Sequence, residues 1–265
     1  MNNVLRNLSF YLPSIFTIID ENDLDWTNID SLFKKKIEKR IQECKGETII
    51  VETTIYDLII EVKKKNSQAL RLLDFINKLF YELSGNLDTL EKQLVKNNIR
   101  NILINFDMRY LNFIGEIAVL NSLMKTKKYS LEGIETKLSN NKSIDFKLKQ
   151  YSDNSYILIE IVNIHLNSDR IEKSNVKIDK FLTERLEQKV KNKKQGLFED
   201  INFYLIPVLW GNSDDLKIYS DYFIENSIQI KNVIEPLSYL TFIDPNDETY
   251  FLHRFGKISD LFKTE

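Results

Sequence analysis

The sequence predicts an α/β fold, a mixed central sheet flanked by helices and preceded by a mainly helical N-terminal region. Three observations carry this. Apolar residues recur at helical spacing from about residue 27 to 125. After about residue 127 they fall into short runs separated by Asn, Ser and Lys turns, the pattern of strands. Two strongly apolar runs, SYILIEIVNIHL and NFYLIPVLW, are separated by a long amphipathic stretch, as a strand–helix–strand unit requires. The expected division is residues 1–110 for the helical region and 111–265 for the α/β domain.

In order, the segment 31–44 places Leu32, Phe33, Ile37 and Ile41 on one helical face, with Gly46 ending it. The next helix, 53–66, opens with Thr54 three residues before Asp57, a capping arrangement, and stripes Ile55, Leu58, Ile59 and Val62. Ser67 is placed to cap a third helix through Leu70, Leu73, Ile76 and Phe80, and a further helix follows Gly85-Asn86. A helix over 107–125 carries the stripe Phe113, Leu120 and Leu123. KKYSLEGIETKL, KSIDFKL and SYILIEIVNIHL are three strands, followed by a helix from about Asp169 to Lys194 that Gly196 stops. NFYLIPVLW is apolar enough to be a central strand. The tail offers a helix (214–226), the strand YLTFI (239–243) and a short closing helix.

Composition excludes several function classes. Hydrophobic residues make up 43% and charged residues 29% of the 265, and the formal net charge is −2, so any nucleic-acid footprint must be local. The single cysteine, Cys44, forbids an intrachain disulfide, and with only His165 and His253 beside it no four-ligand Cys/His zinc site can be built. Both histidines read as structural or surface residues. Seven glycines form neither a dinucleotide fingerprint nor a phosphate loop. The apolar segment 8–19 is too short to span a membrane and is broken by Pro13. A cytoplasmic protein with no membrane partner is expected.

Three acids stand in apolar surroundings. Glu116 falls inside the 107–125 stripe, Asp145 lies in KSIDFKL, and Glu160 sits in YILIEIVNI, a run typical of a strand buried on both faces. A carboxylate in such a place needs a compensating partner. Adjacent strands can converge Asp145 and Glu160, with Glu116 approaching from a covering helix. Carboxylate oxygens so gathered suit Mg²⁺ or Mn²⁺. Taken singly, each acid also fits a surface position or a structural salt bridge. Glu61-Val62-Lys63 imitates a Glu-x-Lys motif but lies in a helical period.

The order Gly115-Glu116, Ile144-Asp145-Phe146, Ile159-Glu160-Ile161-Val162, then a helix and a strand, resembles the PD-(D/E)XK nuclease superfamily over about a hundred residues. The resemblance implies a restriction-endonuclease-like fold for 111–265, phosphodiester hydrolysis, and Glu116, Asp145 and Glu160 as catalytic metal ligands. Two departures are plain. Ser143-Ile144 stands where the superfamily often has Pro before Asp, and Val162 occupies the position of the lysine that activates water. Lys147, two residues beyond Asp145 and so on the same strand face, is the expected catalytic substitute.

On the 169–194 helix, Lys173, Lys177, Lys180 and Lys191 share a face that could track phosphates, or simply be solvated. The expectation is a Mg²⁺- or Mn²⁺-dependent nuclease acting on DNA in preference to RNA, with restriction, defence or repair as implied settings. The alternative is a catalytically inactive nuclease-like scaffold that binds nucleic acid or protein, docking a partner through its helical region.

Overall fold

The computed structural model describes residues 3–43, 54–105, 109–165, 178–194, 196, 202–212, 237–243 and 251–257. The chain divides into two compact units, Met1–Asn121 and Ser122–Glu265.

The first unit is helical. Helix α1 (Asn3–Tyr11) runs into a single-turn helix at Pro13–Thr17, and α2 (Trp26–Glu43), α3 (Ile55–Lys63), α4 (Ser67–Asn86), α5 (Thr89–Ile104) and most of α6 (Tyr110–Met124) follow. The apolar 8–19 segment contributes Leu8, Leu12 and Ile15 to the core, all fully buried, while Phe10 is exposed. Among the described residues no helix is long and apolar enough to cross a membrane. Thr54 caps α3 as its sequence suggests, accepting from the Asp57 N–H at 3.1 Å. Asp88 and Glu91 form a capping box at the start of α5. The Tyr56 hydroxyl on α3 donates to the Leu103 carbonyl on α5 at 2.9 Å, tying the two helices.

Several expectations shift here. Helix α4 is capped by Asn66, whose side chain accepts from the Ala69 N–H at 3.0 Å, not by Ser67. It continues through Gly85 and Asn86, so the break falls at Asp88, where a capping side chain is available. Leu32 and Leu70 are exposed, because the buried faces run through Trp26 and Ile29 on α2 and through Ala69, Leu72, Leu73 and Ile76 on α4. In each helix one apolar residue lies beside the stripe and not on it. Cys44 lies outside the described residues.

The second unit is built on a six-stranded mixed sheet in the order β1-β2-β3-β4-β5-β6. Strands β1 (Tyr129–Lys137), β2 (Ser143–Gln150) and β3 (Tyr156–His165) form an antiparallel meander. Helix α7 (Ile178–Lys194) crosses to β4 (Asn202–Asn212), which runs parallel to both β3 and β5 (Leu237–Ile243). An antiparallel edge strand, β6 (Phe251–Lys257), closes the order and has no counterpart in the sequence expectation. Strand β4 is central, as its apolarity implies. Residues 169–177, the helix expected over 214–226 and the closing helix lie outside the described residues.

The ladder fixes which side chains share a face. Phe146 stands opposite Ile159 and Leu148 opposite Ile157, so Ile144, Phe146, Leu148, Ile157, Ile159 and Ile161 form one buried face. The last turn of α6 supplies Leu123 to that side, where it lines a small cavity of about 70 Å³ with Tyr129, Tyr204 and Ile206. Asp145, Lys147, Lys149, Leu158, Glu160 and Val162 fall on the other face. There α7 buries Leu186 and Val190.

The helical register of the first unit is checked by a pair of substitutions. Leu73→Ala is expected to lower unfolding stability by about 2–5 kcal/mol and Leu70→Ala by less than about 0.5 kcal/mol. Urea unfolding of both variants measures this, and equal losses would mean that the face is misassigned.

Candidate carboxylate and lysine site

Glu160 is fully buried in β3, an arrangement that demands opposite charge nearby. Helix α7 provides it twice. Lys189 Nζ lies 2.6 Å from Oε1 and Lys193 Nζ 3.0 Å from Oε2. Spacing of four residues places both ammonium groups on one helical row, with Arg185 one turn earlier. Arg185 donates to the Asn163 carbonyl at 2.9 Å, and Lys193 donates a short hydrogen bond to the Ser143 carbonyl. Glu160 Oε2 receives the Lys193 charge but no directed hydrogen bond among the described residues.

Asp145 is half-buried on β2, one step beyond the Phe146–Ile159 pair, which sets it across from Glu160. Its Oδ2 accepts from the Ile161 N–H at 2.6 Å. Burial pushes its carboxyl up, and the Glu160 charge pushes it further, from an ordinary 3.8 to about 7. The Ile161 N–H, Lys189 and Lys193 all pull the other way and do not prevail.

The backbone beside Asp145 is strained. Glu135 adopts φ 47°, between the ladder pairs Ile134–Phe146 and Thr136–Ile144. A left-handed residue inside a strand costs on the order of 1–2 kcal/mol, and such strain collects at functional positions.

The end of α7 is anchored nearby. Ser139 donates to the Gly196 carbonyl at 3.1 Å and Asn140 to the Asn192 carbonyl at 3.2 Å. A Cβ at Gly196 would stand 2.5 Å from Asn140 Oδ1, so the Asn140 amide would have to shift to admit one.

Of the residues singled out in the sequence, Asp145 and Glu160 meet. Glu116 lies in the first unit, half-buried on α6, and its carboxylate accepts from Asn98 on α5 at 3.1 Å. Among the described residues no three His, Cys, Asp or Glu side chains form a group able to hold a metal ion. Lys147 shares the Asp145 face, yet its ammonium lies over the Tyr156 ring, 4.1 Å from the centroid. Val162 is buried. Lys191 is exposed; Lys173 and Lys177 lie outside the described residues, as does the side chain of Lys180. His165 stacks on Trp210 at 6.0 Å, and the side chain of His253 on β6 lies outside the described residues.

Sequence reasoning passed over Lys189 and Lys193. The available signal was their four-residue spacing directly beside Leu186 and Val190, on the side of the helix that must face a strand holding an acid.

A divalent cation held here would take its hard oxygen ligands from Asp145 and Glu160. Asp145 and Glu160 offer two anionic donors on one face, and Glu160 Oε2 is a buried oxygen without a hydrogen bond among the described residues. Lys193 is the competitor for that oxygen. The chain matches no protein-family model, no curated protein and no solved structure.

The raised Asp145 carboxyl fixes a pH dependence. Between about pH 4 and 7 the folded chain holds a proton that the unfolded chain has released. This contribution is complete below the unfolded value of 3.8 and is lost as pH rises through about 7. Asp145→Asn removes that slope. Urea midpoints of the wild type should fall relative to the variant across this window, and parallel curves would mean that Asp145 titrates normally.

Proposed function

We propose that the chain is a metal-dependent nuclease of the PD-(D/E)XK kind, hydrolysing phosphodiester bonds, with its lysine supplied by α7. The observation that carries this reading is the Lys189 ammonium, 2.6 Å from Glu160, on the face where Val162 leaves no cation. The order of α6, β2 with Asp145, β3 with Glu160, α7 and β4 also supports the resemblance.

Asp145 and Glu160 would hold the metal. A bound Mg²⁺ or Mn²⁺ lowers the pKa of a water and neutralises charge on the phosphate. Lys189 donates to the attacking water or to a phosphate oxygen as negative charge grows. Hydrolysis consumes that water, breaks one P–O ester bond and gives a phosphate monoester and an alcohol. Asp145 must lose its proton for the metal to bind, so affinity rises with pH through about 7. Lys193 holds β2 and β3 to the helix. Glu116, on α6, accepts from Asn98.

A second reading rests on one observation, that each Glu160 oxygen has an ammonium beside it. Here the cluster is an internal ion network and the protein a nuclease-like scaffold.

Cleavage of plasmid, linear and single-stranded DNA and of RNA, with Mg²⁺, Mn²⁺ or EDTA, separates the two. The nuclease reading expects metal-dependent cleavage that falls at least about a hundred-fold in Asp145→Ala and in Lys189→Ala. No cleavage of any substrate by the wild type would leave the scaffold.

A further inference from the structure

The β2–β3 hairpin carries a basic and aromatic row that leads away from Asp145. Strand side chains alternate, so Asp145, Lys147 and Lys149 stand on one face in steps of about 7 Å. That step is comparable to the separation of successive phosphates in an extended single strand. Across the ladder, Lys149 faces Tyr156, a residue 42% exposed whose ring carries the Lys147 ammonium 4.1 Å from its centroid. Tyr151, at the turn, is 60% exposed.

On the other side β1 is low. Gly133 pairs with Lys147 and Ser130 with Lys149. A Cβ at Gly133 would stand 2.6 Å from Thr136 Oγ1, so that hydroxyl would have to turn away to admit one. A bulge between Leu131 and Gly133 leaves Glu132 over, and the Ser130 hydroxyl binds its carboxylate at 3.2 Å. The result is a row with two ammonium groups and an aromatic side chain along it, and the Glu132 carboxylate at its β1 edge.

We propose that this hairpin row binds single-stranded nucleic acid, Lys147 and Lys149 on successive phosphates and Tyr156 against an unpaired base, and delivers the strand to Asp145. The delivery rests on the nuclease reading above; the binding does not. Lys147 thereby acts on substrate binding and not on the chemical step. A stacking ring selects single strands because a duplex keeps its bases paired, whereas an open strand presents a free π-face.

Fluorescence anisotropy of a labelled single-stranded oligothymidylate, and of a duplex of equal length, tests this in EDTA. The expected results are tighter binding of the single strand and about ten-fold weaker binding for Tyr156→Leu, with Tyr156→Phe close to wild type. In Lys147→Ala/Lys149→Ala the slope of log K against log salt becomes shallower by about 1.4. Lys191→Ala binds as wild type does. Unchanged binding in the hairpin variants, equal affinity for duplex, or no binding by the wild type each overturns the row. Metal-dependent cleavage with an unchanged KM in those variants overturns the row and leaves the nuclease standing. Single-strand binding through the hairpin without cleavage does the reverse.

Discussion

A carboxylate with no exposed surface, Glu160, is the constraint on which the second unit turns. Transfer of one charge into a sheet interior is unfavourable by several kcal/mol unless a partner of opposite sign comes with it. The element covering β3 therefore cannot be an ordinary amphipathic helix. Its sheet-facing side must alternate apolar contacts with ammonium groups long enough to reach a strand, and α7 does this with Leu186 and Val190 beside Lys189 and Lys193. The same lysine row fixes the helix laterally, because Lys193 also bonds to β2 and Arg185 to β3. Crossover, sheet and charge cluster are one solution to one problem.

That solution is a poor way to gain stability. Buried ion pairs roughly break even against apolar residues of similar size, while loss of one partner is strongly destabilising. Alongside it the chain carries a left-handed Glu135 and a carboxyl, Asp145, that resists ionisation near neutral pH. Three unfavourable features within one short stretch of sheet are hard to account for by folding alone, and they are the physical reason for seeking chemistry here.

The existence of β1 to β4 was legible in the sequence because apolar periodicity is strong there: they fall where the period of two and the continuous run of β3 place them. Helix ends were less legible, since Asn66 and Ser67 can each cap and only the backbone geometry selects between them. Leu32 and Leu70 show the limit of a stripe argument, which does not separate a residue on the buried arc from one at its margin. In the site, Asp145 and Glu160 stood out because charge in an apolar run is conspicuous. Lys189 and Lys193 did not, because lysines four apart on a charged helix look solvated until the strand beneath is known to hold an acid. Lys147 sharing a face with Asp145 followed from alternation, but its turn toward Tyr156 depends on the cross-strand neighbour, a matter of register.

The charge balance of the cluster bears on how ligands would enter it. With Glu160 ionised and both lysines charged, two carboxylates and two ammonium groups sum to zero when Asp145 is ionised and to +1 when it keeps its proton. A divalent cation arriving alone must expel that proton and face two neighbouring ammonium groups. A phosphate arriving alone adds negative charge beside the carboxylates. Arriving together, each offsets the repulsion that the other meets. On the proposed reading, metal and nucleic acid therefore bind cooperatively, and the lysines that hold Glu160 in the sheet become the groups that discriminate against metal without substrate. A purely structural network would show no such coupling, because its charges are already matched.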